Sequence, residues 1–163
     1  MSMMGLDSRS IEHELARRLA VIMSGETEAA FKSKMWDGVR WAPVRVPNPK
    51  GSLMIRDSHL RNSLSFVSRG NVVVVSSSMP YASLHNEGGR VVVPVTDKMR
   101  RYWWWQYRKS GGRDVRYKAM ALSRKSHWNI RVPQRQFVGV TGETDRQLEA
   151  QLDEMLGELD IRI

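Results

Sequence analysis

The chain has 163 residues, no cysteine and a formal net charge of +9. That length fits one domain with a modest core. The missing cysteines exclude a disulfide framework or a thiolate metal site, and no run of 18 apolar residues is present to span a membrane. The charge is unevenly placed. Residues 97–135 hold twelve Lys or Arg against Asp97 and Asp114, a local +10, while residues 141–163 hold seven acids against Arg146 and Arg162, a local −5. Such asymmetry points to contact with nucleic acid or with an oppositely charged neighbour. The lack of cysteine suits manufacture in a reducing cytoplasm, and the first seven residues lack the basic and apolar regions of a signal peptide.

Residues 8–35 are expected to be helical, because Ile11, Leu15, Leu19 and Ile22 recur on one face. Asp7 or Ser8 is placed to cap this helix, and Gly25 is expected to divide it, the second part carrying Ala29, Ala30, Phe31 and Met35. Residues 36–50 read as irregular, with a turn at Asp37-Gly38 and helix excluded by Pro43, Pro47 and Pro49. Trp41 is expected to plug the edge of the core. A short helix is expected over 53–63. Leu64–Arg69 and Val72–Ser77 read as a hairpin across Arg69-Gly70-Asn71. Residues 81–86 suit one helical turn, and Gly88-Gly89 then redirects the chain into a strand at Val91–Val95.

A basic aromatic insert follows, at about 97–128. Lys98–Lys109 is expected to be helical, Ser110-Gly111-Gly112 a flexible break, Tyr117–Lys125 a short helix and Trp128–Val132 a returning strand. Gly142–Leu159 reads as a helix with Leu148, Leu152, Met155 and Leu159 on one face, its capping box placed at Thr144-x-x-Gln147. The whole reads as a single α+β domain, a mainly antiparallel sheet packed by N-terminal and C-terminal helices.

No catalytic constellation emerges. Histidines 13, 59, 85 and 127 are scattered, and His13-Glu14 lacks the second histidine a zincin helix needs. Ser83 and His85 share one turn without a nucleophile elbow. The expectation is therefore no enzyme, no metal and no cofactor. His85 is expected to be structural, its ring nitrogens bonded to nearby backbone. Gly88-Gly89 is followed by valines rather than a helix start, so a turn is expected there and not a phosphate cradle.

The insert leaves three readings open. In one, Arg100, Arg101, Arg108, Lys109, Arg113, Arg116 and Lys118 face DNA through charge and stacking. In another, Tyr102, Trp103, Trp104, Trp105 and Tyr107 anchor a protein interface. In the third, the segment is a solvated basic lid with one Trp tucked onto the core. Three adjacent Trp cannot share one helix face, so at least one should be exposed in a monomer.

Three motifs occur in order. The first is Leu60-Arg61-Asn62-Ser63-Leu64, preceded by Asp57-Ser58. The second is Tyr81-Ala82-x-x-His85-x-x-Gly88-Gly89, and the third is Pro133-x-Arg135-x-Phe137-Val138-Gly139. The ordered set resembles the phage virion morphogenesis family, the tail-completion or head–tail joining proteins of Mu-like tailed phages and prophages, over about residues 31–156. There Asp57-Ser58 stands where the family usually has Thr-Gly. The resemblance implies a structural role in the virion neck, as an oligomeric ring around the DNA passage, with a hexamer as first expectation. It implies assembly in the host cytoplasm, contact with head-connector and tail proteins, non-specific contact with packaged DNA, and no membrane. The alternative is a DNA-binding module that acts off the virion through the insert.

Overall fold

The computed structural model describes residues 8–44 and 50–160. In chain order the elements are α1 (Ser8–Ser33), β1 (Met35–Trp36), β2 (Val39–Arg40), α2 (His59–Asn62), β3 (Leu64–Arg69), β4 (Val72–Ser77), α3 (Ala82–Glu87), β5 (Gly89–Pro94), α4 (Asp97–Lys109), α5 (Val115–Leu122), β6 (His127–Val132) and α6 (Gly142–Asp160). The class is α+β. Among the described residues all strand pairing is antiparallel, but it forms three two-stranded ribbons, β1–β2, β3–β4 and β5–β6, rather than one sheet. The chain divides into two compact units, one running to Glu87 and resuming at Pro133, the other Gly88–Val132.

In the first unit, α1 runs unbroken through Gly25, against expectation. A Cβ there would meet nothing within 4 Å, so the glycine answers no packing demand and its propensity cost of about 1 kcal/mol is absorbed by the rest of the helix. The buried line is Ala16, Ala20, Met23, Thr27 and Ala30, with Phe31 beside it. The larger Ile11, Leu15, Leu19 and Ile22 flank that line and stay half-buried. Small residues let neighbouring backbone come close, so the deepest stripe is not the most hydrophobic one. The cap expected at Asp7 lies outside the described residues, and Ser8 is already helical.

Residues 35–40 are not irregular. Asp37 (φ 45) and Gly38 (φ 77) both take positive φ, and Met35↔Arg40 and Trp36↔Val39 pair across them. This is the two-residue hairpin that a type I′ turn builds from Asp-Gly. Pro47 and Pro49 lie outside the described residues. The helix expected over 53–63 shrinks to the four residues of α2, since Ser52 and Ile55 pair in a small bridge instead. The β3–β4 hairpin forms as expected, with Arg69 opposite Val72 and the positive φ at Gly70 (63°). Burial alternates along both strands, and the half-buried face packs on α1.

The core of this unit is Ala30, Phe31, Trp41, Leu60 and Phe137. Phe31 meets Trp41 edge-on at 5.5 Å and Phe137 at 5.2 Å. Burying each large aromatic stabilises the fold by about 2–3 kcal/mol. Trp41 closes the edge of the core as expected, and its Nε1 donates to the Gln136 carbonyl at 2.7 Å.

Helix α6 is capped three residues earlier than expected. Thr141 Oγ1 accepts the Thr144 N–H at 3.1 Å, and Thr144 Oγ1 accepts the Thr141 N–H at 2.8 Å. That is a reciprocal capping box with a threonine in the third position. Both hydroxyls then donate to the Glu26 carboxylate of α1, at 3.2 and 2.7 Å. An acidic group at a helix N-terminus is favourable, so α1 itself completes the cap. Met155 is buried and Leu148 and Leu152 are half-buried; the side chain of Leu159 lies outside those described.

In the second unit, β5 and β6 pair from Gly89↔Val132 to Pro94↔His127, and α4 packs on α5. Thr96 caps α4, accepting the Met99 N–H at 3.3 Å. Ser110-Gly111-Gly112 is an ordered stop rather than a flexible break. Gly111 N–H bonds the Arg108 carbonyl and Gly112 N–H bonds the Tyr107 carbonyl, with φ of 64° and 75°. That pair of bonds is a Schellman motif, which requires the left-handed conformation glycine tolerates. Asp114 then caps α5, which starts and ends earlier than expected.

Candidate functional site

The first and third motifs lie in the first unit, as does the second as far as His85, while its Gly88-Gly89 opens the second unit. Leu60 from the first is buried in the core; Arg61 reaches Glu28 at 3.8 Å; Ser63 Oγ bonds the Leu60 carbonyl and Ser77 Oγ, both at 2.7 Å. Ser58, where the family usually has glycine, sits in the left-handed region (φ 57, ψ 3) just ahead of α2 and makes no capping bond.

From the second motif, Tyr81 and His85 meet edge-on at 5.8 Å, and Ala82 packs against the core. Tyr81 and His85 line a small depression of about 110 Å³ together with Met54, Ser58 and Leu60. His85 works through its main chain: its carbonyl accepts the Arg135 N–H at 2.8 Å. The backbone bond expected of its ring is not made at Nδ1, which is buried and has no hydrogen-bond partner among the described residues. Burial, and then the positive charge of Arg135, hold the imidazole below its ordinary value. Gly88 takes a φ of 75°, which bends the chain out of α3.

The third motif is a strandless segment held from all sides. Arg135 is 7 % exposed, and its guanidinium donates to the carbonyls of Ala42 at 2.9 Å and Pro43 at 3.2 Å. Burial pushes it down from its ordinary value. Asn86 Oδ1 accepts the N–H groups of Phe137 and Val138, and Asn86 Nδ2 donates to the Val138 carbonyl at 3.3 Å. The Phe137 carbonyl accepts Thr27 Oγ1 at 2.7 Å. Beside Gly139 a Cβ would stand 2.6 Å from Gln136 Nε2 and 3.2 Å from Trp36. Pro133 is where the chain re-enters this unit. Asn86 and Thr27 were missed from sequence: neither falls on a motif position, and each acts on a partner far along the chain.

The second unit carries the candidate interface and charge. Trp103 is buried (9 % exposed), edge-on to Trp128 at 6.4 Å, so it belongs to the unit's own core. Trp104 is half-buried against Tyr107 at 5.9 Å. Tyr102 (52 % exposed) and Trp105 (49 %) lie outward, 6.1 Å apart, and Lys109 Nζ stands 4.8 Å over the Trp105 ring. Arg100 bonds the carbonyls of Ala121, Ser123 and Lys125, so its donors tie α4 to the end of α5. Arg116 pairs with Asp114 at 2.7 Å, which holds that carboxyl below its ordinary value. Arg101, Arg108, Lys109, Arg113 and Lys118 remain exposed, with Lys118 5.9 Å over Tyr107.

No helix among the described residues is long and apolar enough to cross a membrane. Comparison with curated proteins finds no match, and comparison with solved structures finds none either. A sequence profile of the phage virion morphogenesis family matches residues 6–157, so the likeness takes in α1 as well as the three motifs. The chain belongs to the phage virion morphogenesis family and has a structural, morphogenetic role in a phage particle.

Proposed function

We propose that this chain completes the tail and joins it to the head, as a ring in the virion neck around the DNA passage. It acts by assembly and not by catalysis. The family match supports the virion role. The observation that carries the rest is the division of labour between motif and surface. The motif residues Leu60, Arg135, Phe137 and Gly139 lock the fold internally, while Tyr102 and Trp105 are left exposed among cations on α4. Exposed Tyr and Trp beside Arg are the residues that anchor protein interfaces. The partners are further copies of this chain, a head connector and a tail protein.

Electron cryomicroscopy of intact particles tests this. Density for the chain as a closed ring between head and tail is the expected result. Density elsewhere in the particle, or none, overturns it. The second reading, a DNA-binding module acting off the virion, draws on exposed cations of the second unit, among them Arg101, Arg108, Lys109, Arg113 and Lys118. It requires tight, sequence-selective DNA binding that survives raised salt.

A further inference from the structure

The surface of the α1–α6 pair in the first unit is complementary to the exposed face of α4 in the second. On α6, Leu148, Leu152 and Leu156 stand four residues apart in one row, and Asp145, Glu149 and Asp153 form the row beside it. Leu156 is exposed, and Leu15 of α1 joins Leu148 and Leu152 in a groove of about 320 Å³ rimmed by Asp145 and Glu149. None of Asp145, Glu149 and Asp153 has an ion-pair partner among the described residues. On α4, Tyr102 and Trp105 lie between Arg101, Arg108 and Lys109, all exposed and none in an ion pair among the described residues. One face offers leucines edged by carboxylates. The other offers aromatics edged by cations.

We infer that the α4 face of one copy docks in the α1–α6 groove of a second copy. Trp105 and Tyr102 cover Leu15, Leu148 and Leu152, and Arg101, Arg108 and Lys109 meet Asp145, Glu149 and Asp153. The cation–π contact of Lys109 holds Trp105 outward before docking, which lowers the ordering cost of association. The two faces are different surfaces of one chain, so the contact is head-to-tail and propagates into a ring or a filament. The inference rests on the ring reading above and supplies its subunit contact. The groove is acidic and so repels the like charge of DNA, which is why a second copy and not a nucleic acid is the occupant of that groove.

Charge reversal provides the test. Arg108→Glu with Lys109→Glu in one chain, and Glu149→Lys with Asp153→Lys in another, each place like charges across the contact. Each double variant alone should self-associate about a hundredfold more weakly than the parent in sedimentation. All four positions are exposed, so folding is retained and circular dichroism checks it. Mixing the two variants restores opposite charge at every contact and should restore the oligomer. A second measurement uses the absence of native cysteine: Arg101→Cys chains mixed with Asp145→Cys chains, both rim positions that keep the aromatic and leucine anchors, should form disulfide dimers, whereas Val21→Cys, on an exposed site of α1 outside the groove, should not.

Oligomers that survive either reversal unchanged, or a mixture that fails to recover, overturn this contact while leaving the neck ring standing. A parent chain that is monomeric at every concentration overturns both. If Arg108→Glu with Lys109→Glu abolishes DNA binding while sedimentation is unchanged, α4 is a nucleic-acid surface and the contact is wrong.

Discussion

Asn86 Oδ1 accepts the backbone N–H of Phe137 at 2.9 Å, and so ties the end of α3 to a segment 51 residues further on. The same oxygen takes the Val138 N–H at 3.0 Å. Between those residues the chain leaves for the whole second unit and returns. One side chain therefore supplies the hydrogen bonds that a neighbouring strand would supply in a sheet. This is how residues 133–139 stay ordered without strand pairing.

Replacing Asn86 with Ala removes the acceptor for two amides and the donor to the Val138 carbonyl. Leaving partly buried amides without a partner costs about 2 kcal/mol or more. Chemical denaturation should show that loss, with Asn86→Asp intermediate because it keeps the acceptor. A loss within experimental error of zero for Asn86→Ala would mean that water satisfies these groups and the tie is idle.

Ser58 pays a backbone cost for its left-handed φ of 57°, with no capping bond in return. Ser58→Gly should raise stability by about 0.5–1 kcal/mol, because glycine adopts this region freely. Ser58→Val should lower it by more, since a β-branched side chain fits that region worst. Equal stability of all three chains would show that the turn rearranges rather than strains.

Much of the first unit was legible in the sequence, and the exceptions have physical causes. The β3–β4 hairpin is readable because two β-prone runs, the second a stretch of four valines, flank a Gly-Asn turn signal. The β1–β2 hairpin was hidden because two-residue strands carry no periodicity, although Asp37-Gly38 was the right signal. The buried stripe of α1 was misjudged because Ala16, Ala20 and Thr27 pack by being small, which hydrophobicity does not register. The α6 cap was misplaced because its third threonine takes the role usually given to Glu or Gln. Within the insert, Arg100 and Arg108 look alike in sequence. Only the fold shows that Arg100 faces the carbonyls ending α5 while Arg108 faces water. The same holds for Trp103 and Trp105, where an amphipathic pattern fixes that one Trp is exposed but not which.

Those two tryptophans should therefore separate in experiment. Trp103→Ala removes a buried ring stacked edge-on against Trp128 and should cost about 3–5 kcal/mol. Trp105→Ser should leave the folded chain's stability almost unchanged and act on assembly alone. Thermal unfolding measured beside sedimentation reads both. If Trp105→Ser unfolds the chain as Trp103→Ala does, the exposed face of α4 is a core and not an interface.

His85 gives the fold a pH dependence with a definite sign. Burial and the Arg135 charge depress its affinity for a proton below that of the unfolded chain, where imidazole titrates near its ordinary value of 6.5. Between the depressed value and 6.5 the unfolded state binds more proton than the folded state, so stability falls as pH falls through that window. Above it the imidazole is neutral in both states and contributes nothing. His85→Gln should remove this component. The difference in unfolding free energy between parent and variant should be flat above pH 7 and shrink on acidification. A difference that stays constant through the window would mean the ring titrates as freely folded as unfolded.

The last expectation concerns DNA. Of the seven cations placed toward DNA on sequence grounds, Arg100 is tied to carbonyls and Arg116 to Asp114. Five exposed ones remain: Arg101, Arg108, Lys109, Arg113 and Lys118. Five phosphate contacts would give a loss of roughly 500-fold in affinity between 50 and 200 mM salt, through counterion release. Arg113→Gln should lower the salt slope by about one unit, whereas neutralising the paired Arg116 should change it little. Binding should be weak and indifferent to sequence, as befits diffuse charge along a passage. It should also weaken on assembly, because docking covers Arg101, Arg108 and Lys109 and leaves Arg113 and Lys118 for the strand. Fluorescence anisotropy on the monomer and on the oligomer, across a salt series, measures each of these. Tight binding to one sequence that survives 200 mM salt would overturn the passage reading and favour the DNA-binding module.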